Sequence, residues 1–121
     1  MLHEKAQLFI LRSARLRKYL LKEHQEIVLG EELHKTAQRV VANVGKANAA
    51  TSKEEECSKL IVARGKLNVA SMYIDLMHEV NYMTGEQFRS MNRDLEEIGK
   101  LLQTRLGPNY QPRMDWFNDE G

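Results

Sequence analysis

From Leu60 to Met77 the apolar residues recur at alternating intervals of three and four: Leu60, Ala63, Leu67, Ala70, Ile74 and Met77. Only an α-helix puts residues spaced in this way on one face. So regular a seam is the pattern by which bundled helices interlock, so the segment calls for partner helices to cover it. The rest of the chain can supply them. Both prolines, Pro108 and Pro112, lie in the last fifteen residues, so everything before them is free to be helical. No segment alternates with the period of two that marks a strand.

Three more stripes follow. Ala6, Phe9, Ser13, Leu16 and Leu20 share a face in a helix expected from His3 to Gln25. A connection from Gln25 to Gly30 leads to a second helix over Glu31–Ala49, with Leu33, Ala37, Val40, Val44 and Ala47 as its seam. The third helix starts at Ser52, where Glu55 stands three residues on and predicts a reciprocal capping box, and it ends near Asn81 and Tyr82. Thr84 and Gln87 predict another box for the fourth helix, with Met83 and Phe88 placed as a hydrophobic staple. Phe88, Met91, Leu95, Ile98 and Leu102 form its seam, and Gly107-Pro108 stops it. Short connections make neighbours antiparallel. The expectation is all-α: an antiparallel up-and-down four-helix bundle over residues 1–106, then a short irregular C-terminal tail, 107–121. Tyr110, Met114, Trp116 and Phe117 make that tail dense in large apolar side chains.

The chain's 121 residues suit one domain with a core that needs no disulfide. Its lone cysteine, Cys57, cannot bridge internally, and it reads as a buried or half-buried structural residue near the start of the third helix. No apolar run approaches the ~20 residues of a membrane span, and Leu8–Leu11 is too short for a signal peptide. A cytoplasmic protein is the default.

Catalytic signals are weak. Glu31 and His34 form a Glu-x-x-His, and Asp75 and His78 an Asp-x-x-His, with Glu26 and Glu86 near the same end. Di-iron bundles use such motifs with every ligand projecting inward. Here the seams turn Glu31 and Asp75 outward. There is no Gly-rich phosphate loop, G-x-S-x-G or zinc spacing. The reading is of no enzyme, no cofactor and no metal.

Charge is more informative. Between Lys5 and Lys22 there are six basic residues and no acidic one, although the net charge is only +1. Arg12, Arg15, Lys18 and Lys22 line one side of the first helix, and Lys35, Arg39 and Lys46 one side of the second. Such stripes suit phosphate neutralisation, and they equally suit a solvated exterior. Leu8, Ile10, Leu11 and Leu21 widen the apolar surface of the first helix beyond one core face, as a second contact with another subunit would. Asn43, in mid-helix, reads either as a hydrogen bond across to a neighbouring helix or as a subunit contact.

Four segments in this order carry a family resemblance: Val40-Val41-Ala42-Asn43-Val44-Gly45-Lys46-Ala47, the Ser-Lys-Glu-Glu start at Ser52, Leu76-Met77-His78-Glu79-Val80-Asn81-Tyr82-Met83-Thr84, and Leu95-Glu96-Glu97-Ile98-Gly99-Lys100-Leu101-Leu102. From about Leu29 to Leu106 the chain resembles the four-helix bundle proteins encoded in intervening sequences of bacterial large-subunit ribosomal RNA genes. The family pattern usually has glutamate where Lys46 stands and glycine where Ala47 stands, so this face is more basic here. The resemblance implies assembly into rings, commonly homopentamers. A related branch, the accessory variability determinant of diversity-generating retroelements, forms a basic pentameric barrel that binds a reverse transcriptase and nucleic acid. The expectation is a homo-oligomeric accessory protein whose partners are its own copies, RNA or DNA, and a reverse transcriptase. The alternative is a structural or protein-interaction bundle with no nucleic-acid role. The absence of a long apolar run leads to the expectation of no membrane partner.

Overall fold

The computed structural model describes residues 1–107. They form four helices: α1 Leu2–His24, α2 Val28–Asn48, α3 Lys53–Glu79 and α4 Gly85–Leu106. Consecutive helices pack side by side, α4 closes back on α1, and the diagonal pairs make no close backbone approach. This is the up-and-down bundle. None of these helices is long and apolar enough to cross a membrane.

The seams meet in one core. Every expected seam residue of the first three helices is buried, and so are Met91, Leu95, Ile98 and Leu102 of α4. Phe88 is the exception. It stays at the core's edge, its ring stacked on His78 with centroids 4.0 Å apart. Met83, its expected staple partner, is buried.

The punctuation departs from expectation where side chains reach unexpected partners. At Thr84 the box is complete: Thr84 Oγ1 accepts from Gln87 N at 3.1 Å, and Gln87 Oε1 accepts from Thr84 N at 2.9 Å. At Ser52 it is half formed. Ser52 Oγ accepts from Glu55 N at 3.1 Å, but the Glu55 carboxylate takes the N–H of Thr51 instead. The second helix starts at Val28, three residues before the expected Glu31. Glu26 explains this, because its carboxylate accepts from Leu29 N at 2.8 Å and satisfies a donor in the first turn. Two helices end on residues with positive φ, Gln25 at 51° and Asn81 at 63°. In each case the next N–H folds back to the chain five residues before the left-handed position or near it: Glu26 N to Leu20 O, and Tyr82 N to Met77 O.

At one point α1 packs tightly on α2. Gly30 is buried there, and a Cβ on it would stand 3.0 Å from Arg17 Cα. One turn away Ser13, fully buried, donates to Ile10 O at 2.7 Å and meets His34 Nδ1 at 2.9 Å. Among neighbouring helices, α4 and α1 make the least extensive contact. Polar clasps span the gap. Arg12 pairs with Asp94 and also bonds Ser90, and Lys5 meets Glu97 at 2.9 Å. On the other flank Arg105 reaches Asn48 and Glu56, and Arg64 donates to Gln103.

Candidate nucleic-acid interface

The seven basic residues divide by what already holds them. Arg12 is half-buried and committed to Asp94 and Ser90, so it braces α1 against α4 rather than facing solvent. Lys35 is exposed but shares Glu31 at 3.3 Å and Glu32 at 3.9 Å. Among the described residues Arg15, Lys18, Lys22, Arg39 and Lys46 are exposed and join no ion pair. Five cations therefore remain available to an outside anion.

They do not form one patch. The contacts of Ser13 with His34 and of Arg17 with Gly30 fix the register of the two helices. Lys18 then lies level with Leu29, and Arg39 level with Leu8. At 1.5 Å per residue, Lys18 and Arg39 are separated along the bundle by about 15 Å, and Lys22 and Lys46 by about 31 Å. The α1 cations sit toward the end holding the α1–α2 connection, and the α2 cations toward the opposite end. That is a track of separated charges, wide enough to touch several phosphates of one strand and too dispersed to chelate a single one.

The apolar exterior is the feature that sequence reasoning caught only in part. Leu8, Leu11 and Leu21 of α1 are each 53% exposed, as their excess over one core face implied. The larger stripe is on α3. Val62, Val69, Met72, Leu76 and Val80 are all at least 36% exposed and lie on one line with Gly65. It runs about 27 Å, and no charged residue falls on it. The signal was present at spacings of seven, three, four and four, hidden behind the stronger core seam of the same helix.

The remaining candidates find local partners. Asn43 donates to Arg39 O within its own helix at 2.8 Å, not across to a neighbouring helix as the first of its two readings has it. Cys57 is half-buried beside the core. His34 is engaged by Ser13 and His78 by Phe88, while Glu31 turns to Lys35 and Asp75 is exposed. Among the described residues no three His, Cys, Asp or Glu side chains converge as a metal site.

The family model of the 23S rRNA-intervening sequence protein matches residues 2–104. The chain belongs to that family. Among solved structures, it is similar to a protein of unknown function from the S23 ribosomal protein family of Bacteroides thetaiotaomicron. The two share 29% identity over 88% of this chain and 99% of that one, with a TM-score of 0.84. No curated protein matches the chain. Membership agrees with the resemblance read from the four motif segments, and it places Asn43 and the basic Lys46 within the matched region.

Proposed function

We propose that this protein is a non-catalytic building block that assembles with its own copies and binds nucleic acid on the assembled surface. The observation that carries assembly is the uncharged apolar stripe of α3. Monomeric proteins seldom leave such a continuous line of large aliphatic side chains in water. The helix diagonally opposite, α1, exposes Leu8 and Leu11 near its start, with Leu21 apart from them beyond the cations Arg15 and Lys18. Two different surfaces facing away from each other favour a head-to-tail contact, and head-to-tail contacts close into rings when the rotation allows. Five copies is the number the family resemblance supplies, and a reverse transcriptase is the protein partner it supplies. Nucleic acid is supported by the five unpaired cations, which a ring would repeat around its circumference.

One observation favours the other reading, a bundle that meets proteins only: the α1 and α2 cations stand at opposite ends, and Arg12 and Lys35 are already paired. Measuring the mass in solution together with RNA and DNA binding across a salt series separates the two. A ring with binding that weakens steeply as salt rises, and weakens further in Lys18→Glu/Lys22→Glu, is expected. A ring with no binding at low salt, or with salt-independent binding, leaves the protein-interaction reading. A monomer at all concentrations overturns the assembly.

A further inference from the structure

Because α4 stands off from α1, a groove of about 320 Å³ opens between them. Leu16, Met83 and Met91 floor it, all buried, and Tyr19 walls it. Arg12 and Arg15 lie at its rim, and Arg15 is exposed with no ion pair among the described residues. The groove therefore asks for an apolar or aromatic side chain with a carboxylate beside it. The chain carries that combination beyond Gly107, where Trp116 and Phe117 are bracketed by Asp115 and by Asp119 and Glu120. We propose that the chain's own C-terminal segment folds back along the α1–α4 seam, seats Trp116 and Phe117 in this groove, and pairs its carboxylates with Arg15.

Reach supports the fit. α4 runs antiparallel to α1, so Gly107 lies at the end of the bundle that holds Met1. Met91 is sixteen residues back along α4, a rise of about 24 Å. Trp116 is nine residues beyond Gly107, and an extended chain of that length spans at most about 30 Å. The aromatic pair thus arrives at the Met91 end of the groove when the segment is nearly extended, and the two prolines suit an extended path. Gly107 has φ 98°, a conformation in which glycine lets the chain leave the helix axis sharply. Charge agrees as well: the segment holds one arginine against three acids, and it would lie along the basic side of α1. The inference is independent of nucleic-acid binding, although a docked segment would take Arg15 out of any such surface.

Trp116 is the chain's only tryptophan, so the emission of the full-length protein reports on this segment alone. The expected result is emission to the blue of the urea-unfolded chain, protection from acrylamide, and no change on dilution. Arg15→Glu should return the emission to the unfolded position, while the control Arg39→Glu leaves it in place. Asp115→Lys/Asp119→Lys, which leaves the bundle sequence untouched, should give the same loss, and combining it with Arg15→Glu should restore the shift. Emission matching the unfolded chain overturns the proposal. So does a blue shift that survives both reversals, and so does one lost on dilution, which would seat the segment on another copy.

Discussion

Replacing Gly30 with alanine adds one methyl group where α2 packs tightly against α1. That Cβ would meet Arg17 Cα at 3.0 Å and Arg17 Cβ and Cγ at 3.4 Å. The nearest obstacle is backbone, which cannot rotate aside, so α1 and α2 must separate by a few tenths of an ångström. Forcing a methyl into a filled site costs about 1–3 kcal/mol. Against this, alanine is favoured over glycine by at most about 0.8–1.0 kcal/mol, the value for a helix interior, and Gly30 is the third residue of α2. The balance is a net loss of about 1 kcal/mol, or a fall in Tm of about 4 °C for a domain of this size. Gly45 is the matched control, since a Cβ there meets nothing within 4 Å. Gly45→Ala should gain nearly the full helical preference, about 1 kcal/mol. Urea unfolding followed by circular dichroism, at one fixed protein concentration, should place the two variants on opposite sides of the wild type. If Gly30→Ala is as stabilising as Gly45→Ala, the crossing is not limited by backbone contact and the reasoning fails.

Gln25 holds a left-handed conformation that costs a side-chain-bearing residue about 1 kcal/mol. Gln25→Gly should therefore raise stability by about 0.5–1 kcal/mol, and Asn81→Gly by less, because asparagine tolerates that region better; equal effects in urea unfolding would contradict this. The Glu97 carboxylate, through a hydrogen bond and its charge, raises the Lys5 pKa above the ordinary 10.5. A folded pKa above the unfolded one stabilises fully below the ordinary lysine value and is lost as pH rises through the folded value. Wild type should thus be more stable than Lys5→Met at neutral pH, with the gap closing in alkali; a gap that persists above the lysine range would point to packing of the stem instead.

The four core seams were legible because burial follows helical spacing and nothing in this chain competes with it. The Thr84 box was legible because it is made by residues three apart. What the sequence hid were partners brought together from a distance. Arg12 reads as one of a basic row, and only the fold shows Asp94 taking it, eighty-two positions away. The start of α2 was missed because a glutamate, not a small polar residue, satisfies its first turn. The α3 exterior stripe was masked by the deeper seam it shares a helix with. The available cations were visible as types and spacings, but their staggered placement on two helices depends on the α1–α2 register, which Gly30 and Ser13 set in three dimensions.

The stand-off of α4 gives the bundle an unequal internal cohesion. Three helices are locked by close contacts running from α1 through α2 to α3, whereas the fourth is joined to α1 by Lys5–Glu97 and Arg12–Asp94 across a gap. Cooperative units of a native protein open at different free energies, and the least tightly joined opens first. The amides of α4 should therefore exchange hydrogen ahead of those of α2. Of the four seams, the one between α1 and α4 should therefore be the most sensitive to added salt, which screens its two ion pairs.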